Sequence, residues 1–224
     1  MNKEEVNYKM NKEEVVECEE DIQLPASPFG PPAPILQIKN NLYVYGEIDD
    51  TLAKSFIATL HENAMENISV SFEHDVAIPP INIIINSPGG QISSALGIVA
   101  AIEDIQKGRI HRVNGMPIPV TVNTEIQGEA DSAASLIACI GNHRTISKYS
   151  LSLVHDVRQL GSAGGKTEDF EDSAHNLGMF KKMTHDIYLA HSKLTEEQLN
   201  ELAKNEKYST PEELLKYGLV DEII

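Results

Sequence analysis

Two stretches of the chain repeat one order: a β-branched apolar run, a glycine-containing turn and a run of good helix formers. Residues 81–86 have the sequence INIIIN, residues 87–90 have SPGG, and apolar residues then recur at helical spacing up to residue 106. The second copy has a predicted strand over 118–123 and an apolar helical run that ends near residue 140. A nearly continuous apolar run is typical of a strand covered on both faces. Strands that alternate with helices predict an α/β fold with mainly parallel pairing.

Ser132 lies between the strand and the helix of the second copy, in the sequence GEADSAAS over residues 128–135. This order places its hydroxyl at the tip of a tight turn, at the positive end of a helix. A hydroxyl there can act as a nucleophile if a base reaches it, and the free N–H groups of the first helical turn can hold an oxyanion. The alternative is that Ser132 is only a helix N-cap.

The charge and the cysteine content of the chain argue against several classes of partner and site. The formal net charge is −16 and the isoelectric point is about 4.8. An acidic surface argues against nucleic acid and anionic membranes as partners. The sequence contains no apolar run of 18 residues and begins without the apolar core of a signal peptide. The two cysteines, Cys18 and Cys139, indicate neither a disulfide framework nor a metal site, which favours a reducing, cytoplasmic compartment.

The first 34 residues differ in composition from the rest of the chain. They begin with a polar, acidic segment in which NKEEV occurs twice, and they end in a segment with five prolines. Such a composition predicts a disordered leader over 1–34, followed by a folded domain over 35–224.

Further elements are predicted from periodicity and capping residues. Strands are expected at 42–45, 69–72, 144–147 and 151–155, and a helix is expected to begin after Asp50 as its N-cap. A glycine-rich loop at 161–165 precedes a helix of about 25 residues, whose apolar stripe would pack on another element or subunit. Thr195 and Pro211 mark the starts of two short helices.

His155 is the candidate base for Ser132. It is the one histidine of eight that ends a strongly apolar run, although a lone histidine is commonly structural. A catalytic histidine also needs an acceptor for its second ring nitrogen. The neighbouring Asp156 is expected to point elsewhere along the strand, which leaves Glu206 and Asp131 as candidates.

Four blocks of the sequence together resemble the ClpP family, the proteolytic subunits of the Clp protease in the crotonase-like superfamily. Residues 83–90 are similar to the first signature of that family, and residues 128–133 are similar to its nucleophile turn. Residues 151–155 match the strand that carries the family histidine, and residues 217–221 match the C-terminal signature. The resemblance covers residues 40–224. It implies a spiral of ββα units with a projecting handle helix, here at about 158–192.

The resemblance also implies site residues and partners. Ser132 is then the nucleophile, His155 the general base, and Gly90 and Ala133 the donors of the oxyanion hole. Counting back from residue 217 places Glu206 at the third, acidic position of the triad. Gly89, Gly161 and Gly164 would contact an extended peptide or unfolded protein substrate. No metal or cofactor is implied, the subunits would form a ring or double ring, and a Clp-type ATPase is a possible partner.

Two other functions fit parts of the pattern. Glu129 and Asp131 place carboxylates beside the predicted oxyanion pocket, which would suit an assembly subunit that has lost activity. An acyl-CoA enzyme of the same superfamily would share the fold and the paired N–H groups. That class does not need a serine–histidine pair, and the acidic surface offers little to CoA phosphates.

Overall fold

The computed structural model describes residues 36–158 and 166–224. The predicted leader over 1–34 lies outside the described residues. The same is true of Gly161 and Gly164 in the predicted substrate loop.

The described residues form ten strands and six helices. The strands are β1 Gln37–Ile38, β2 Asn41–Tyr45, β3 Ile81–Ser87, β4 Arg112–Val113, β5 Met116–Pro117, β6 Val122–Asp131, β7 Arg144–Ile146, β8 Leu151–Leu153, β9 Tyr208–Ser209 and β10 Glu222–Ile223. The helices are α1 Asp50–His74, α2 Ile92–Gln106, α3 Ala133–Cys139, α4 Thr167–Ala190, α5 Glu196–Asn205 and α6 Pro211–Tyr217.

A mainly parallel sheet forms the centre of the fold. Its strand order is β1-β2-β3-β6-β7-β10, and β2, β3, β6, β7 and β10 pair in parallel. The long strand β6 pairs with β7 near its start and with β8 at its end, and β9 pairs antiparallel with β8. The predicted α/β class with mainly parallel pairing is confirmed.

The core lies between this sheet and the first three helices. Phe56 and Leu60 on α1, Ile102 on α2 and Ile137 on α3 are fully buried, as is Ile83 on β3. Removing such side chains from water is the main favourable contribution to folding. Packing in the core therefore fixes β3 and β6 in place. The two glycine-containing turns follow these strands.

The start of α1 and its length differ from the prediction. The N-cap is Asp49, whose carboxylate accepts from the Leu52 N–H at 2.7 Å, and Asp50 is the first helical residue. Residues 69–72 were predicted as a strand but continue the helix to His74, where Asp75 ends it in a left-handed conformation. A helix that has already formed extends more readily than a new strand begins without a pairing partner.

The second strand also differs from the prediction, because it begins at Val122 rather than at residue 118. The N–H groups of Ile118 and Val120 bond to the carbonyls of His111 and Ile105, and Pro119 has no N–H to offer a ladder. At its other end β6 continues through Gly128 to Asp131. The turn is thus confined to Ser132.

Most of α4 is exposed in the single chain. Of its described side chains, Thr184 and Tyr188 near the C-terminal end are buried, whereas Phe170, Met179 and Met183 are exposed. The predicted apolar stripe is therefore covered only in part by this chain. Within 36–158 and 166–224, the helices lack the combination of length and apolar character that crossing a bilayer requires.

Candidate active site

Ser132 forms the turn between β6 and α3. Its backbone has φ 53° and ψ −122°, and although it holds the N-cap position its hydroxyl makes no capping hydrogen bond. A positive φ is strained for a residue with a Cβ, and such strain is found where the surrounding structure enforces it. The Ser132 N–H donates to the Leu153 carbonyl at 2.7 Å, which ties the turn to β8. The side chain is therefore not used as a helix cap.

The turn after β3 lies directly against the Ser132 turn. Gly89 has φ 91°, and a Cβ atom there would lie 2.5 Å from the Asp131 carbonyl oxygen and 2.8 Å from the Ser132 Cβ. Only glycine allows this approach, because both the space and the backbone angle exclude a side chain. The two glycine-containing turns predicted to share one edge of the sheet are thus in contact.

The predicted oxyanion donors are positioned by the same two turns. Gly90 forms a bridge with Ile48, but the two bonds of this bridge use the Gly89 carbonyl and the Gln91 N–H. Ala133 is the first residue of α3, where a backbone N–H has no acceptor within the helix. Both N–H groups are therefore placed to hold an anion, although this role is still a prediction.

His155 follows β8 in a segment, residues 154–158, that is neither helix nor strand. Its Nδ1 lies 2.7 Å from the Asp156 carbonyl oxygen. Because a carbonyl can only accept, Nδ1 carries a proton in this arrangement, so in the neutral imidazole Nε2 keeps its lone pair. This is the tautomer that a general base requires.

Ser132 and His155 line one cavity of about 650 Å³. Its walls also include Gly89, Gly90 and Ala133, with Arg158 beyond His155. The apolar part of the wall consists of Ile92, Leu136, Val157, Phe180 and Tyr188. A cavity of this size with a few convergent polar groups is typical of a substrate site.

A buried carboxyl group lies beside Ser132. Asp131 is 7% exposed, and its Oδ1 has no hydrogen-bond partner among the described residues. Burial raises the pKa of Asp131 to about 6, an effect opposed by the Tyr208 side chain and increased by the charge of Glu129. The carboxyl group beside the nucleophile turn is therefore mainly protonated below about pH 6.

Glu206 does not contact His155 in this structure. It ends α5 in a left-handed conformation, and its carboxylate pairs with the guanidinium of Arg158. The hydrogen bond found for the His155 ring within the described residues is to the Asp156 carbonyl. The proposed role of Glu206 as the third triad member stays a prediction.

Helix α4 contributes to this site, which was not predicted from the sequence. Thr184, Tyr188 and Phe180 line the cavity, and the Tyr188 hydroxyl lies 2.5 Å from that of Ser135, which also donates to the Ser132 carbonyl at 2.6 Å. The predicted apolar stripe of this helix included Phe180 but neither Thr184 nor Tyr188. It did not show that the face with these three residues would close over Ser132.

Comparison with known proteins agrees with this geometry. The family model described as Clp protease matches residues 35–224. The ATP-dependent Clp protease proteolytic subunit 1 of Salinibacter ruber is 27% identical over 175 residues, which cover 75% of this chain and 69% of that protein. The mainly parallel sheet and the six described helices are consistent with the ClpP fold. With a family match over most of its length, the chain belongs to the Clp protease family.

Proposed function

We propose that this chain is a serine endopeptidase subunit that cleaves peptides and unfolded proteins by acyl transfer through Ser132. The observation that carries the proposal is the state of the Ser132 hydroxyl. It lies at a strained turn, does not cap its helix, and belongs to the same cavity as the histidine that follows β8.

In the proposed mechanism, Nε2 of His155 takes the proton of the Ser132 hydroxyl as Oγ attacks the peptide carbonyl. The N–H groups of Gly90 and Ala133 hold the resulting oxyanion, and preorganised donors of this kind commonly contribute more than any other single effect. The imidazolium then gives its proton to the leaving amine, and water releases the acyl group by the reverse steps. The bond from Nδ1 to the Asp156 carbonyl supports this sequence because, in the neutral imidazole, it selects the tautomer in which Nε2 is the proton acceptor.

The apolar lining of the cavity favours substrates with an apolar residue before the scissile bond. Leu136 and Ile92 line one part of the wall, and Phe180 lines another. Burying apolar surface of the substrate against these side chains stabilises the complex. Gly89 beside the cavity is the proposed backbone contact for an extended peptide, together with Gly161 and Gly164 outside the described residues.

We further propose that the subunits assemble into a ring or double ring through the helix region at about 158–192. The exposed Met179 and Met183 support this, because they lie four residues apart on one face of α4 and adjacent exposed apolar side chains mark contacts between proteins. The Salinibacter relative is named as a subunit of an ATP-dependent protease, so a Clp-type ATPase is a proposed partner. The peptidase domain would be residues 35–224, residues 1–34 its leader, and the cytoplasm its compartment.

A second candidate function is an assembly subunit without activity. The buried carboxyl group of Asp131 beside the nucleophile turn and the pairing of Glu206 with Arg158 favour it. An ionised Asp131 would oppose the developing oxyanion.

A fluorophosphonate probe separates the two candidates, since it reacts with an activated serine without needing a peptide. We expect the wild-type protein to be labelled and Ser132→Ala to be unlabelled. Ser93→Ala is the matched control, because Ser93 lines the same cavity and its loss should leave labelling intact. A wild-type protein that resists the probe as fully as Ser132→Ala would favour the inactive subunit.

A further inference from the structure

The acceptor that orients His155 belongs to a segment without regular structure. The carbonyl of Asp156 takes the Nδ1 proton, but residues 154–158 have no helical or strand hydrogen bonds to fix its direction. In most serine peptidases an anchored carboxylate holds the histidine in its orientation and tautomer. A backbone carbonyl can do the same only if the residue that carries it is itself held in place.

The side chain of Asp156 supplies this anchorage. Its Oδ2 accepts from the Lys181 Nζ at 2.6 Å and its Oδ1 accepts from the His185 Nε2 at 3.0 Å. Lys181 and His185 are four residues apart on α4 and therefore lie on the same face of that helix. Both carboxylate oxygens are thus bound by one rigid element.

The charge on Asp156 strengthens both bonds, and the bond to His185 is the less screened of the two, because the Lys181 side chain is 43% exposed. Burial alone would raise the pKa of this carboxyl, but the bonds from Lys181 and His185 hold the pKa below its usual value. The group is therefore ionised at neutral pH, and hydrogen bonds to an ionised acceptor are about twice as strong as neutral ones. The His185 ring is also largely buried, at 12% side-chain exposure, which shields its bond from water.

We propose that Asp156 is a positioning residue: its carboxylate, bound by Lys181 and His185, fixes the carbonyl that orients the imidazole of His155. The inference rests on the proposed peptidase function and adds an account of how the general base, His155, is oriented. Asp156 touches neither the substrate nor the reacting atoms in this role. It acts only through His155.

The test compares Asp156→Asn and Lys181→Ala with the wild-type protein, using the rate of Ser132 labelling and peptide hydrolysis. Both variants keep the Asp156 carbonyl but weaken its anchorage, and a displaced catalytic group costs about tenfold to a hundredfold in rate. We expect that loss in the labelling rate and in kcat, with KM changed by less than about twofold because the apolar wall is untouched. Lys181→Arg, which keeps the cation, should recover most of the loss.

Lys182→Ala is the matched control, because the adjacent Lys182 pairs with Asp186 at 2.7 Å on the exposed side of α4. It should label at the wild-type rate. The Nδ1 proton of His155, observed by NMR, should shift in Asp156→Asn and stay in place in Lys182→Ala. The substitution of Lys181, which is 43% exposed, decides the outcome if Asp156→Asn does not fold.

Wild-type labelling rates in both Asp156→Asn and Lys181→Ala would overturn the proposal. That result is distinct from failure of the peptidase function, in which Ser132→Ala would not differ from the wild-type protein in labelling.

Discussion

Gly89 and Ser132 are in contact through their main chains, and a Cβ atom on Gly89 would lie 2.8 Å from the Ser132 Cβ and 2.9 Å from the Ala133 nitrogen. The first turn of the sheet edge therefore forms part of the surface against which the nucleophile turn is held. The effect of the Gly89 contact on the site can be measured separately from its effect on folding.

Gly89→Ala should damage both stability and the nucleophile turn. The added methyl group meets backbone atoms, which cannot move aside, and φ 91° adds strain, so the cost is about 3 kcal/mol or more. Ser132 labelling should fall with it. Denaturant unfolding and the labelling rate measure the two effects.

The control for that substitution is Gly115→Ala. Gly115 has a similar φ of 79° but open space around its Cβ position, so only the backbone strain of about 1 kcal/mol applies. Equal losses of stability in the two variants would contradict the role given to the close contact.

Asp131→Asn should make stability less dependent on pH. The pKa of this carboxyl rises from 3.8 to about 6 on folding. The folded protein then holds a proton that the unfolded chain releases, so stability falls as pH rises from 4 to 6 and the full penalty applies above 6. Asparagine cannot ionise, so its advantage should grow over that interval to about 2 kcal/mol.

The same variant should also shift the activity profile. An ionised Asp131 would oppose the negative charge that develops on the oxyanion, so its removal should raise the labelling rate most above about pH 6. Denaturant unfolding and labelling rates between pH 4 and pH 8 measure both effects. Asp172→Asn, on the exposed surface of α4, controls for the loss of a carboxylate in general. Parallel stability curves for the wild-type protein and Asp131→Asn would contradict the prediction.

Glu206→Gln should have a small effect on stability. Its carboxylate pairs with Arg158 at a site where both side chains are about half exposed, and such pairs contribute at most about 1 kcal/mol. The predicted place of Glu206 in the catalytic triad implies, in contrast, a fall of about 10³-fold or more in the rate of Ser132 labelling. A labelling rate close to that of the wild-type protein would remove Glu206 from the triad.

Phe180→Ala should weaken the binding of apolar substrates. Phe180 lines the cavity from α4, and its removal takes away apolar contact area, so KM for a peptide with leucine before the scissile bond should rise about tenfold. The labelling rate with a small fluorophosphonate should change little. A fall in kcat at constant KM would indicate that Phe180 positions the reacting groups instead.

The sequence predicted the parts of the site that depend on local patterns. The glycine turn after β3, the helix caps at Thr195 and Thr210 and the parallel order follow from periodicity and turn chemistry. The turn predicted over 128–132 is shorter than expected, because β6 continues through Gly128 and leaves only Ser132 in the turn. The Thr210 cap precedes the predicted Pro211 start. The extent of β6 was mispredicted, because the N–H groups before Val122 bond to α2 and to the hairpin of β4 and β5 rather than to a strand.

The orientation of His155 could not be predicted from the sequence, for a different reason. Asp156 was expected to point away, and its carboxylate does reach α4, but its carbonyl is the atom that contacts the histidine. Which main-chain oxygen faces a side chain depends on tertiary packing. The partner of Glu206 could not be predicted either, because Arg158 reaches it across a gap of 48 positions in the chain.

Ser132 and His155 are held in place by different kinds of structure. Ser132 is half-buried at the turn between β6 and the wholly buried α3. His155 belongs to an irregular segment fastened by a few polar contacts. Substitutions that change the turnover rate but leave the subunit folded should therefore be found mainly around His155. Substitutions around Ser132 should in most cases also disturb folding.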